Sequence, residues 1–98
     1  MYVVIFLRPG LILCPVNNLR DPEAIRTFGR HLRQMRQQRG LTMEELADQS
    51  GVSYNQLGRI ELGEINTTIS TVFALARGLQ VRPAALFDFD GPVQPSHP

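Results

Sequence analysis

The sequence predicts an all-α domain of five helices behind an apolar N-terminal segment, and three observations carry that prediction. Two helix-start signatures, Thr42-x-x-Glu45 and Ser53-x-x-Gln56, lie eleven residues apart and match the capping box, in which a hydroxyl and a Glu or Gln side chain satisfy the free amides of a first turn. Apolar residues recur at helical spacing, as in Ile25, Phe28, Leu32 and Met35. Glycines fall where those runs stop, at Gly40, Gly51 and Gly63.

Taken in order, the chain opens with MYVVIFLRPGLILCPV. Arg8, Pro9 and Gly10 break this stretch well short of a membrane span, and it lacks the basic start and small-residue cleavage site of a secretory signal. Its two β-prone runs, Tyr2 to Leu7 and Leu11 to Val16, predict either a hairpin that packs on the domain or on a second subunit, or an extended arm without structure of its own. Residues 1–20 form this arm and connector, 21–89 the helical domain, and 90–98 a proline-rich polar tail expected to be disordered.

Asp21-Pro22-Glu23 starts the first helix with a cap, a proline at its first position and an acid in its first turn. Arg39 and Gly40 end it. Helices two and three follow the caps at Thr42 and Ser53, with Gly51 in the left-handed conformation between them. Ala47 is small enough for the third helix to approach the second, and Leu46, Val52, Leu57 and Ile60 are placed to close the core. The opposite face, Tyr54, Asn55, Gln56 and Arg59, is left outward. Thr68 caps a fourth helix expected to bury Ile69, Val72, Phe73, Ala76 and Leu79, and Pro83 opens a last short turn carrying Leu86 and Phe87.

Composition sets limits on function. With 98 residues, 43% of them hydrophobic, and a net charge of +1, the chain is of single-domain size and no whole-molecule field points to a partner. The charge is uneven, however: all ten basic residues are arginine, and five of them (Arg26, Arg30, Arg33, Arg36, Arg39) lie in an acid-free stretch from Ala24 to Leu41. Cys14 is the single cysteine, which excludes an intrachain disulfide and suits a reducing, cytoplasmic compartment. His31 and His97 are isolated, so no metal and no cofactor are expected. There is no nucleophile–base pair and no phosphate-binding glycine loop, and the chain is not read as an enzyme.

From Ile25 to Phe87 the chain resembles the Xre/Cro-type helix-turn-helix family of phage repressors and bacterial regulators. The resemblance runs through Arg36-Gln37-Gln38-Arg39-Gly40-Leu41-Thr42, Glu45-Leu46-Ala47, Gly51-Val52-Ser53 and Ile60-Glu61-Leu62-Gly63. It continues with Asn66, the Leu75, Ala76, Leu79 pattern and the closing Leu86-Phe87. It implies a five-helix lambda-repressor-like domain whose third helix enters the major groove by its N-terminal end.

Tyr54 and Asn55 are then the base-contact candidates, since an asparagine amide can pair bidentately with adenine. Gln56 is shared between capping and contact, and Arg59 between a guanine edge, a phosphate and solvent. Thr42, Ser53, Asn66 and Thr67 suit phosphate oxygens, the first two because free amides and the positive dipole end gather at helix starts. The family commonly pairs the positions of Arg36 and Glu61 in a structural ion pair. Departures from the family pattern are Met43, which stands among the contact candidates where many members carry a DNA-contacting glutamine, and Leu62 and Glu64, at positions often polar or basic. Gly58 falls inside the recognition helix, either weakening it or permitting a close approach to DNA or protein.

The expected activity is a sequence-specific transcriptional regulator, a repressor that binds a pseudo-palindromic operator in double-stranded DNA as a homodimer. The alternative is an antitoxin or interaction module that binds a toxin or another protein. No membrane partner is expected.

Overall fold

The computed structural model describes residues 19–90 of the chain. The arm or hairpin expected over residues 1–20 and the tail expected from 90 onward lie, except for Leu19, Arg20 and Asp90, outside the described residues. Four α-helices, α1 (Pro22–Gln38), α2 (Met43–Ser50), α3 (Tyr54–Glu61) and α4 (Ile69–Leu79), are followed by a 3-10 helix, Pro83–Phe87, with no strand among the described residues. The fifth element is therefore not an α-helix. Five residues opened by a proline make few i to i+4 bonds, and the tighter 3-10 winding is the usual form of so short a piece.

Each helix start is set by a local hydrogen bond. Asp21 Oδ1 accepts from Ala24 N at 3.1 Å, Thr42 Oγ1 from Glu45 N at 3.1 Å, Ser53 Oγ from Gln56 N at 3.1 Å, and Thr68 Oγ1 from Thr71 N at 3.2 Å. At Thr42 the box is complete, because its own N–H donates to Glu45 Oε1 at 2.8 Å. At Ser53 it is not: the Gln56 side chain returns no bond, and Ser53 caps alone. The turn between α2 and α3 depends on Gly51, whose φ of 82° lies in the left-handed region that a side chain disfavours.

The core gathers Phe28, Leu32, Leu46, Ala47, Val52, Leu57, Ile60, Val72, Leu75, Ala76, Leu79 and Leu86, drawn from every element. The pairings α2 with α4 and α1 with α3 are the most extensive. The burial of α4 differs from expectation. Ile69 and Phe73 are exposed (69% and 47%), and Leu75 and Gly78 take their places inside. The cause is tertiary: a Cβ on Gly78 would stand 2.9 Å from Ser50 Cβ and 3.1 Å from Leu46 Cδ1, so α2 lies directly against that glycine and sets the rotation of α4.

The terminal 3-10 helix is held onto α1 by side chains. Leu86 is fully buried, the Phe28 and Phe87 rings lie 5.3 Å apart between centroids, and His31 Nε2 is 2.8 Å from the Ala85 carbonyl oxygen. His31 also meets the Phe89 ring at 5.3 Å. Among the described residues no cluster of His, Cys, Asp or Glu is placed to hold a metal, and no helix is long and apolar enough to cross a membrane.

Candidate nucleic-acid interface

The side chains aimed outward from α3 are positioned by what lies behind them. α1 crosses the C-terminal end of α3 at Gly29, where a Cβ would collide with the Ile60 carbonyl oxygen and come within 2.8 Å of that of Glu61. Backbone thus meets backbone. Beside that crossing, Arg36 and Glu61 form a bidentate ion pair, Nε to Oε2 at 2.7 Å and Nη2 to Oε1 at 3.0 Å, with side-chain exposures of 10% and 5%. The remaining Arg36 nitrogen, Nη1, donates to the Leu41 carbonyl at 2.9 Å in the segment leading into α2. One guanidinium therefore joins α1, the end of α3 and the approach to α2.

The hydrogen bond to Glu61 holds the Arg36 pKa above its ordinary value; desolvation opposes this and the Glu61 charge adds to it. Arg36 stays charged wherever the protein is folded. Buried pairs of this kind contribute little against an apolar substitute of the same shape, but losing one partner strands a charge.

Asn55 and Arg59 stand exposed on the side of α3 away from the core, Gln56 is half-buried, and Tyr54, 55% exposed, lies on the flank it shares with Glu61 two turns on. The first turn of α3 therefore presents a phenol and an amide at the positive end of the helix, a mixture suited to hydrogen-bonding base edges in a groove. Thr42 and Ser53 are exposed at the two helix starts. Each uses an oxygen lone pair for its cap and keeps the hydroxyl proton free to donate to an anionic oxygen.

The other sequence candidates divide. Met43 is half-buried, with its Cε 3.2 Å from where a Gly58 Cβ would lie, so the methionine covers the glycine of the recognition helix. Gly58 thus serves a close approach within the fold. In the loop after α3, Asn66 is exposed, whereas Thr67 Oγ1 is buried and has no hydrogen-bond partner. Arg59 Nε lies 3.6 Å from Glu64 Oε1, both about half exposed; a solvent-screened pair of this kind is weak, but it holds a carboxylate beside the cation. An open groove bordered by Glu44, Asp48, Ser53 and Tyr54 flanks the turn on its outer side, and its two carboxylates would repel phosphate.

Among the α1 arginines, Arg26, Arg30 and Arg33 are exposed. At 100° per residue Arg33 falls on the flank shared with Gly29 and Arg36, the one turned toward α3, and Arg30 falls further round. Sequence reasoning missed Gly29 and His31 as positioning residues. Gly29 had a signal, a glycine inside a strongly periodic helix. His31 had none, since its partner Ala85 lies 54 positions away.

The family model for the helix-turn-helix, HTH_3, matches residues 32–86. The chain belongs to this family. It is 46% identical over 50 residues to the HTH-type transcriptional regulator SutR of Escherichia coli K12, a stretch that covers 51% of this chain and 28% of SutR. The HTH-type transcriptional regulator y4dJ of Sinorhizobium fredii, uncharacterized, is 38% identical over 53 residues, 54% of this chain and 69% of y4dJ. Among solved structures the restriction-modification controller protein C.AhdI of Aeromonas hydrophila superposes with a TM-score of 0.63 at 35% identity, covering 64% of this chain and 96% of C.AhdI. The chain thus spans little more than a quarter of SutR and nearly all of C.AhdI. The family and its relatives SutR and y4dJ are transcriptional regulators of the helix-turn-helix type, not enzymes.

Proposed function

We propose that this HTH_3 chain is a sequence-specific DNA-binding transcriptional regulator, acting in the cytoplasm as a homodimeric repressor on a pseudo-palindromic operator. The observation that carries the reading is the contrast within α3, whose C-terminal end is clamped by Gly29 and Arg36 while Tyr54 and Asn55 stand exposed at its N-terminal end. In this reading Asn55 and Tyr54 meet base edges and Gln56 reaches either a base or the sugar–phosphate chain. Thr42, Ser53 and Asn66 take phosphate oxygens, Arg33 and Arg59 add charge, and Met43 acts by shaping α3. The likeness to a restriction-modification controller, over 96% of that protein and 64% of this chain, supports a regulator of that kind.

Fluorescence anisotropy of the purified chain, with the DNA upstream of its own gene against a scrambled duplex at two salt concentrations, tests the reading. A regulator prefers the upstream DNA and loses affinity steeply with salt, because each phosphate contact releases counterions. Equal, weak binding to both duplexes would instead favour the protein-binding alternative, an antitoxin or interaction module, for which Leu62, 65% exposed at the end of α3, is the supporting feature.

A further inference from the structure

We propose that Arg59 reads the edge of a guanine in the groove, beside the base met by Asn55, and that Glu64 keeps its charge from the phosphates. The inference rests on the DNA-binding reading above and deepens it by naming a base. Asn55 and Arg59 are both exposed and stand one helical turn apart on the same stripe of α3. That turn advances about 6 Å along the helix. With base steps of about 3.4 Å, Arg59 therefore addresses a position within roughly two steps of the one opposite Asn55.

Charge decides between the two partners open to an arginine at this place, a guanine edge and a phosphate. Among the described residues Arg36 and Arg59 are the arginines in ion pairs, whereas Arg26, Arg30 and Arg33 are exposed on α1 without such a partner. The partner of Arg59 is fixed through its main chain. The Glu64 N–H donates to the Arg59 carbonyl at 2.9 Å and the Glu64 carbonyl accepts from Arg20 Nη2 at 3.1 Å. The preceding Gly63 has a φ of 76°, with α1 so near that a Cβ would stand 2.6 Å from Arg26 Cγ. The carboxylate is thereby offered to Arg59 from a set position, 3.6 Å from Nε. A pair without net charge gives a phosphate little to gain. A guanine asks for something else, two donors in a planar fork against the uncharged acceptors O6 and N7. Glu64 approaches the guanidinium at Nε, the nitrogen nearest the main chain, and the two Nη groups that make the fork are the outermost atoms of the side chain.

Competition anisotropy of the full chain tests this, with the upstream duplex, the set of its single-base-pair variants and a scrambled duplex. In Arg59→Lys, which keeps the charge and removes the fork, preference for one G·C pair is expected to fall at least about tenfold. That pair lies within about two steps of the one that responds to Asn55→Ala. Affinity for the scrambled duplex and its salt dependence stay as in the unaltered chain, and so does the urea midpoint, as for other exposed substitutions. Full base preference in Arg59→Lys would overturn the proposal. So would a loss in Arg59→Ala that is equal on every duplex and flattens the salt dependence, which would return Arg59 to a phosphate role. If the unaltered chain prefers no duplex, the DNA-binding reading fails and this inference with it. If it prefers the upstream DNA and Arg59→Lys keeps that preference at every position, only the assignment of Arg59 fails.

Discussion

α3 and α4 begin alike, each behind a hydroxyl cap with no acid in its first turn, yet they present opposite surfaces. α3 buries its large apolar residues Leu57 and Ile60 and shows Tyr54, Asn55 and Arg59, whereas α4 leaves Ile69 and Phe73 uncovered. The difference teaches that a helix with a single apolar stripe is oriented by its own sequence, while a helix apolar on several sides is oriented by its neighbours. It also separates two arrangements: α3 is clamped at its C-terminal end and exposes polar atoms, whereas α4 packs against α2 at Gly78 and exposes an apolar pair on its opposite flank.

The sharpest way to break the contrast is at the base of α3. Glu61→Ala strands the buried Arg36 charge and is expected to cost ~3–5 kcal/mol in urea unfolding, with loss of all DNA affinity as a consequence. Gly29→Ala forces α1 away from the Ile60 and Glu61 carbonyls and should cost about 1–3 kcal/mol by the same measurement. Asn55→Ala tests the outer end: stability stays within ~0.5 kcal/mol, while discrimination at one operator position drops by about 1–3 kcal/mol in competition with single-base variants. Equal losses on operator and random duplex would count against base reading by Asn55. Ser53→Ala removes a cap without a reciprocal partner and should cost ~1 kcal/mol. The smallest effect is at the surface pair: Glu64→Gln frees Arg59 and removes a repelling carboxylate, so affinity for every duplex should rise about threefold at low salt and converge with the unaltered chain at high salt. Arg33→Ala should lower affinity for all sequences and flatten the salt dependence, more than Arg30→Ala does.

Helix starts were legible in the sequence because capping is local chemistry: Asp21, Thr42, Ser53 and Thr68 each bond an amide three residues on. The exposure of Tyr54, Asn55 and Arg59 was legible because the outward part of α3 is polar, whereas Gln56, expected beside them, is half-buried. The orientation of α4 was not. Ile69, Val72, Phe73, Ala74, Leu75, Ala76 and Leu79 offer more apolar surface than one side can bury, and the contact of Gly78 with Leu46 and Ser50 turns the helix by roughly 60–70° from the stripe that periodicity selects. Met43 and Gly58 show the same limit. Each reads as an anomaly alone, one for its apolarity and one for its flexibility, and only their contact explains both. The inward hydroxyl of Thr67 is likewise a property of the folded loop, with no local pattern to announce it.

The three bonds of Arg36 have a consequence for how tightly a groove can be held. Because a single planar fork ties α1, the Leu41 segment and the end of α3 together, α3 cannot loosen or tilt without dismantling a buried contact. In the proposed function, the backbone ordering of α3 is then completed when the chain folds and not when it meets DNA. A lysine at position 36, with one ammonium and no fork, would leave some of that ordering to be done at each encounter, and affinity would fall even with every outward-facing side chain in place.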